Sequence, residues 1–377
     1  MDWASICARR LARHALTTPA ATVADIAATA GVVCGIHAQM PAAADVSLAI
    51  RVTGATSTDV AAALWQRREL VKTYGPRGTV HLFPATDAPI WSAALAEVRA
   101  GLPSLPPAAQ MTDDQIEMVV RAIGDSLADG ASLTVAELGA EVVARTGAWA
   151  GDEVMPAFAG MWPRWRSTIA LAAYRGLLCF GENRGRRTTY AKPAAWRQIA
   201  GSEALDEAVR RYLFAYGPAT PAHFAQWFGM PRPAATPIFE RLAGELRDVT
   251  VDGVPAADLA DGGGEVEPMR GVRLLPYFDA YTVGCHPRAL VFPGSARDRA
   301  LGHGQAGTVP VLLIDGALAG VWHQRRSGRA IAVTVEAFVP LTPRTRADLN
   351  DQVERLGEIL GSRTDLTVGP VTAGHHL

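Results

Sequence analysis

Leu70-Val71-Lys72-Thr73-Tyr74-Gly75-Pro76-Arg77-Gly78-Thr79-Val80-His81-Leu82-Phe83 is the stretch on which the reading of the fold turns. Leu70–Tyr74 is strand-like, Gly-Pro-Arg-Gly supplies a turn, and Thr79–Phe83 alternates as a returning strand. Upstream the signals are helical. Trp3 to Leu16 carries arginines on one side and ends before Pro19, Thr22 can cap Ile26 to Ile36, Ala44 to Val52 is closed by Gly54, and Thr58 starts Asp59 to Arg68. Helices followed by a two-stranded hairpin is the order of a winged helix, and its hairpin tip, here Arg77, is the place where such a unit meets a DNA phosphate.

The order recurs. Thr112 caps a helix to about Leu127, Thr134 caps Val135 to Arg145, and Pro163 opens a third helix to Arg175. A hairpin follows around Asn183-Arg184-Gly185-Arg186-Arg187, a compact positive tip whose other reading is a solvated loop. A third round runs through Glu203–Tyr216, Thr220-Pro221 to Phe228, Pro233 to Ala243, and a hairpin of Leu246–Val251 with Gly253–Leu259. From Asp261 the texture changes. Gly262-Gly263-Gly264 is a linker, and short β-branched runs are separated by Asp315-Gly316 and Ser327-Gly328, of which Asp-Gly is a strong hairpin signal. This part reads as a small antiparallel sheet or barrel closed by an amphipathic helix from Thr345 to Leu360, with a frayed end at His375-His376-Leu377. The boundaries expected are 1–105, 106–200 and 201–261 for the three helical units and 262–377 for the sheet.

At 377 residues the chain exceeds what one core usually supports. An apolar content of 49% excludes global disorder. Lys+Arg 36 against Asp+Glu 37 gives a net charge of −1, so no polyelectrolyte character points to nucleic acid. Yet Lys72 and Lys192 are the only lysines, leaving 34 arginines by subtraction from 36. Arginine grips phosphate with a planar fork, although a GC-rich genome gives the same bias. Cys7, Cys34, Cys179 and Cys285 are scattered without a C-x-x-C spacing, which argues against a zinc or iron-sulfur site and against a disulfide framework, and fits reduced thiols. No cofactor or metal is expected. Neither a membrane-spanning run nor a signal peptide is present, so a cytoplasmic protein with no membrane partner is expected.

Gly35-Ile36-His37-Ala38-Gln39-Met40 lies between two helical runs. If it is extended, His37 and Gln39 point to one face, where they could hold one water or one sugar oxygen. Capping or bridging of helix ends is the plainer reading.

Four stretches carry a resemblance. They are Tyr212-Leu213-Phe214-Ala215-Tyr216-Gly217-Pro218-Ala219-Thr220-Pro221 with Phe224-Ala225-Gln226-Trp227-Phe228-Gly229, then Gly35–Gln39, Arg77-Gly78-Thr79-Val80-His81-Leu82, and Leu274-Leu275-Pro276-Tyr277-Phe278-Asp279-Ala280-Tyr281. Together they resemble the AlkZ-like family of winged-helix DNA glycosylases. The resemblance implies an α+β fold of three tandem winged helices plus a C-terminal antiparallel β-barrel, C-shaped around duplex DNA. It implies metal-free cleavage of the glycosidic bond of alkylated purines by a monofunctional glycosylase. The family stretch is usually Gln-x-Gln or Gln-x-Asp; His37 departs from it. Relatives with His or Gln there, when encoded beside genotoxic natural-product pathways, resemble self-resistance enzymes for bulky guanine adducts. The expected partner is double-stranded DNA carrying alkylated guanine, bound by a monomer. Unhooking of interstrand crosslinks, removal of small alkylpurines, and a non-enzymatic DNA-binding regulator or damage sensor are the alternatives.

The chemistry assigns roles. Guanine alkylated at N7 already carries a positive charge and leaves as a neutral base, so the protein has to place a water behind the sugar C1′. Gln39 can accept and donate through one amide and hold that water, and neutral His37 can receive its proton. Arg77 and His81 are expected as a probe near the lesion, with Arg184, Arg186 and Arg187 on phosphates. Asp45 is expected to cap a helix and Asp279 to bond backbone internally. Cys285-His286 lacks an evident orienting group for an activated thiol.

Overall fold

The computed structural model describes residues 1–99, 105–157, 160–264, 266–302, 304–328 and 330–372. After α1 (Trp3–Arg13), one order of elements occurs twice in full (helix, short strand, two helices, hairpin) and a third time without the short strand. The first round is α2 (Ile26–Val32), β1 (Ile36–His37), α3 (Pro41–Ala49), α4 (Ser57–Ala61), β2 (Leu70–Tyr74) and β3 (Val80–Pro84), followed by α5 (Ala88–Glu97). The second is α6 (Asp113–Ser126), β4 (Ser132–Thr134), α7 (Val135–Thr146), α8 (Ile169–Tyr174), β7 (Cys179–Arg184) and β8 (Arg187–Ala191), with a small hairpin, β5 (Glu153–Pro156) and β6 (Met161–Pro163), between α7 and α8. The third is α9 (Gly201–Tyr216), α10 (Pro221–Phe228), α11 (Arg232–Arg241), β9 (Leu246–Val251) and β10 (Val254–Leu259). In the first two rounds the short strand pairs with the second hairpin strand, giving sheet orders β1-β3-β2 and β4-β8-β7. In the third round that strand has shrunk to a bridge between Ala219 and Ala257.

Local chemistry sets these boundaries. Thr56, Thr112, Thr134 and Thr220 each bond the backbone N–H three residues on, and Asp59, Gln115, Glu137 and His223 reach back to them. Each reciprocal pair satisfies two donors that a helix start leaves open. Pro41, with its φ already set for a helix, opens α3 three residues ahead of the expected Ala44. Asp45 therefore lies inside α3 and caps nothing. Likewise Thr56, not Thr58, starts α4, and the chain continues through a widened turn at Ala62–Gln66 instead of a straight helix.

The C-terminal part contains β11 (Val272–Leu275), α12 (Ala280–Gly284), α13 (Arg288–Val291), α14 (Ser295–Ala300), β12 (Val311–Ile314), β13 (Ala317–Ser327), β14 (Ala330–Ala337), α15 (Pro343–Leu360) and β15 (Arg363–Val368). Its five strands follow the open order β11-β12-β13-β14-β15. This corrects the expected antiparallel barrel: the sheet is a curled half-barrel, and β15 runs parallel to β14 from Ala330↔Arg363 to Val335↔Val368. A parallel neighbour needs a long crossover. Helix α15 supplies it, and Gly361 at φ +59 turns the chain back into the edge strand. His375, His376 and Leu377 lie outside the described residues.

Three apolar cores hold the molecule. One, built from buried residues of the middle round with Tyr74 of β2 packed against it, holds Val119, Ile123, Leu138, Trp165 and Tyr190. The other two are shared. Ile26, Val46 and Leu82 of the first round pack with Leu312, Val333 and Leu356 of the sheet region. Leu11, Phe83 and Trp91 pack with Tyr212 and Phe224 of the third round and with Leu275 and Val311. The first round, the third round and the sheet are thus welded together, and what lies among them is fixed from several sides.

Candidate active site

At Gly35 the backbone takes φ +91, and a Cβ there would lie 2.4 Å from the Phe83 ring, so glycine alone allows β1 to start so close to β3. Antiparallel pairing then sets Ile36 opposite Leu82 and His37 opposite His81, and the Ala38 N–H continues the ladder to the Val80 carbonyl at 2.7 Å. Ile36 and Ala38 face the core. His37 and Gln39, the alternate pair, both line a cavity of about 610 Å3.

Four separate parts of the chain wall this cavity: the stretch with His37 and Gln39, the β2–β3 turn with Arg77 and Thr79, α10 with Gln226 and Trp227, and the sheet region with Phe278, His286, Arg288 and Gln305. His37 is 7% exposed. Its ring stacks on Phe278, centroids 4.6 Å apart, and meets the His81 ring edge-on at 5.2 Å. Burial, with help from the Arg77 charge, lowers its pKa to about 3. Its Nδ1 is buried without a partner among the described residues. The imidazole is therefore neutral throughout the physiological range: an acceptor for a hydrogen bond from water, and a weak base. Gln39 is exposed.

The Arg77 guanidinium donates to the Trp227 carbonyl oxygen. Burial and the neighbouring Arg288 charge lower its pKa to about 10. Arg288 donates to the carbonyls of Thr282, Cys285 (2.9 Å) and Val283 (2.5 Å). Neither arginine pairs with a carboxylate among the described residues, and no Asp or Glu lines the cavity there. The site is a cationic hollow with neutral imidazoles and amides, suited to an anionic backbone.

Other expected residues are placed differently. His81 is 4% exposed and its Nδ1 lies 3.0 Å from the Thr79 carbonyl oxygen. It is buried beside His37, outside the cavity lining, and its ring is not presented as an exposed probe. Arg184 is ion-paired with Glu137 and bonds the Ser132 carbonyl at 3.2 Å. Arg186 and Arg187 are exposed at the β7–β8 tip with no ion-pair partner among the described residues. Asp279 is fully buried and grips Arg51 through both oxygens, at 2.8 and 2.8 Å, as well as bonding the Tyr281 N–H. Cys285 is buried, and that burial raises its thiol to about 12, so no thiolate is available. Phe278, His286, Arg288, Gln226 and Gln305 were not anticipated at the site. They lie far from His37 in sequence; the signal for Phe278 and Gln226 was their place inside stretches shared with the family.

The profile of the AlkZ-like DNA glycosylase family matches residues 30–359. The chain belongs to this family. It is a DNA glycosylase. A relative described as an interstrand DNA cross-link repair glycosylase, from Streptomyces sahachiroi, is 30% identical over 342 residues, covering 85% of this chain and 87% of its own. The solved structure of Streptomyces sahachiroi DNA glycosylase AlkZ superposes with a TM-score of 0.80 at 26% identity, covering 98% of this chain and 100% of that one. Among the described residues of this AlkZ-like chain, no helix is long and apolar enough to cross a membrane, and no group of three His, Cys, Asp or Glu could hold a metal ion.

Proposed function

We propose that this glycosylase hydrolyses the N-glycosidic bond of bulky N7-alkylguanine adducts in duplex DNA, acting as a monomer and protecting its host against a genotoxic natural product. The carrying observation is the pairing of a neutral His37 and an exposed Gln39 on one wall of a cavity that holds two arginines without carboxylate partners among the described residues. A cationic N7-alkylguanine needs no general acid. Water attacking an oxocarbenium-like sugar needs orientation more than a strong base, so an imidazole of low basicity beside a carboxamide fits. Arg77 would sit beside the sugar-phosphate at the lesion, with Arg186 and Arg187 on more distant phosphates. The three rounds of elements are read as winged helices within 1–105, 106–200 and 201–261, followed by the sheet region 262–377, curved around the duplex. The description of the relative as a cross-link repair enzyme favours a second substrate, the interstrand crosslink, at the same residues.

The test is the appearance of abasic sites in duplexes carrying N7-alkylguanines from methyl to polycyclic, and in a crosslinked duplex, incubated with the protein in EDTA. His37→Ala and Gln39→Ala are each expected to slow base release roughly 10²- to 10⁴-fold with DNA affinity nearly unchanged. Release equal to wild type in both variants removes them from the chemistry. Tight binding with no abasic sites on any lesion leaves a DNA-binding sensor.

A further inference from the structure

We infer that Phe278 is a positioning residue of the active site: it is clamped in a strained backbone conformation so that its ring covers one face of the His37 imidazole and keeps that face dry. The inference rests on the reading of His37 as the acceptor for the attacking water, and adds what holds that acceptor in its neutral, oriented form.

Phe278 has φ +53, in the left-handed region that a bulky side chain avoids at a cost of ~1–3 kcal/mol. Such a conformation persists only where the surroundings impose it, and two devices do so. On one side the Phe278 N–H donates to the Gly307 carbonyl at 2.8 Å. Gly307 itself has φ +91, and a Cβ on it would lie 2.7 Å from the Val283 side chain and 3.0 Å from the Phe278 Cα, so the approach requires glycine. On the other side Asp279, the next residue, is locked. It takes both prongs of Arg51, the Ser47 hydroxyl at 2.7 Å and the Tyr281 N–H at 3.0 Å, while the Thr282 hydroxyl bonds its carbonyl at 2.9 Å. Burial raises the Asp279 carboxyl, but the Arg51 guanidinium and the Ser47 hydroxyl bring it below the ordinary value, so the lock stays ionised at neutral pH.

The origin of the lock matters. Ser47 lies on α3 and Arg51 just past its end, and α3 starts at Pro41, two residues after Gln39. The helix that leaves the catalytic stretch thus grips Asp279, Asp279 fixes Phe278, and Phe278 returns to stack on His37 at 4.6 Å with ring planes 23° apart. This closed circuit joins residues far apart in the chain and ends on the catalytic imidazole. A buried ion pair is weak evidence for stability as such; a role in holding one side chain against a reactive group explains its position better.

The other titratable or charged groups around His37 are His81 on β3, Arg77 on the β2–β3 turn, and His286 and Arg288 lining the same cavity. All four keep their own side chains in a Phe278 variant, so a shift carried by the His37 signal reports the cover. Phe278→Leu should let water reach the imidazole and move its titration from far below neutrality toward the ordinary value of about 6.5. Phe278→Tyr keeps the ring and should restore wild-type behaviour. The experiment is NMR titration of full-length protein with labelled histidine, the His37 signal being assigned through His37→Ala. Alongside it, single-turnover base release is measured at pH 5.5 and 8 on a duplex carrying one N7-methylguanine. Wild type should show no His37 titration between pH 5.5 and 8. Phe278→Leu should titrate there, and its release at pH 5.5 should be about 10-fold slower than at pH 8, as an acceptor of pKa near 6.5 requires. Ser47→Ala, which loosens the lock without stranding a charge, should shift the titration in the same direction by less. A His37 titration in Phe278→Leu identical to wild type overturns the inference. If the titration shifts while His37→Ala releases base as wild type does, the cover stands and the catalytic reading of His37 is what fails.

Discussion

Two hairpins hold the same place in the element order and do opposite things. In the first round β2 and β3 turn at Arg77, and the turn is folded inward: Arg77 donates to the Trp227 carbonyl of α10, and His81 is buried beside His37. In the middle round β7 and β8 turn at Gly185-Arg186, and the arginines of that tip are exposed. The sheet orders are equivalent, so topology does not separate them. Their surroundings do. The first hairpin is welded to the third round and the sheet through shared cores, with Tyr74 of β2 also packing on the middle round, whereas the middle round builds most of its core from its own residues and lends only Tyr174 to the shared buried core. One copy of the unit has become a wall of the cavity lined by His37 and Gln39, and the other has kept an exposed cationic tip.

The contrast extends to histidine. His14, His37, His81 and His286 are buried and His223 is half-buried, all in the welded part, while residues 113–191 contain no histidine. Burial lowers the pKa of His14 and His37 to about 3, of His223 to about 4 and of His286 to about 2, and that of His81 well below the ordinary value. For each, the unfolded chain binds a proton before the folded one. The folding stability they permit is complete above about pH 6.5 and falls as pH drops from there toward the folded values, by about 1.4 kcal/mol per pH unit for each extra proton taken up on unfolding. In the middle round Glu137 is held down to about 2 by the Thr134 backbone N–H and by Arg184, so its contribution is present above pH 4.5 and is lost only between there and 2. Hydrogen exchange at pH 5.5 against pH 7.5 should therefore show protection falling in β1, β3, α9 and α10 while α6, α7 and β7–β8 keep theirs. Uniform loss across both parts would break the distinction.

Two glycines sharpen it further. Gly229 ends α10 at φ +88, and a Cβ there would lie 2.8 Å from the Arg77 Cα and 2.9 Å from its nitrogen, both backbone atoms that cannot swing aside. Gly185 has φ +63, and a Cβ there would meet nothing within 4 Å. Gly185→Ala should cost only the left-handed strain, ~1–2 kcal/mol. Gly229→Ala adds a clash that pushes the inward hairpin off α10, so it should lower the melting temperature further and slow base release as well. Equal melting temperatures and equal release in the two variants would mean that the first hairpin does not depend on its seat.

Much of this was legible in the sequence, and the misses have physical causes. Threonine caps three residues before Gln115, Glu137 and His223 mark helix starts wherever they occur, so those helices could be read; Pro163, expected to open the third helix of the middle round, ends β6 instead, and α8 begins only at Ile169. Strand β15 could not be read. It is an edge strand of mostly exposed residues, Arg363 to Val368, so it lacks the apolar density that marks a core strand, and it becomes visible only once α15 is known to cross back. His37 and Gln39 were legible because alternation in a short extended stretch sends both to one side. The rest of the chamber was not, since Phe278, His286 and Arg288 reach it through tertiary contacts that no local pattern encodes. The direction of the first hairpin was equally hidden: Gly-Pro-Arg-Gly makes the same turn whether its tip meets DNA or α10. The one local sign was Gly229, whose missing side chain leaves room for Arg77.

The smallest expected effect tests the free tip itself. Arg184 is committed to Glu137, so it should contribute little to phosphate contacts, and Arg184→Ala should leave the salt dependence of DNA binding nearly as it was. Arg186 and Arg187 have no such partner among the described residues. If each neutralises one phosphate, Arg186→Ala with Arg187→Ala should reduce the slope of log affinity against log salt by up to ~1.8, about 0.9 for each counterion no longer released. The weakening should be equal on undamaged and adducted duplexes, because phosphate contacts carry no lesion information, and bound substrate should still be cleaved at the wild-type rate. A slope that moves with Arg184 and not with the other two would reverse the assignment and make the Glu137 pair a latch that opens on DNA. An unchanged slope in the double variant would turn the middle hairpin into plain scaffold, leaving the chamber's own arginines to hold the backbone.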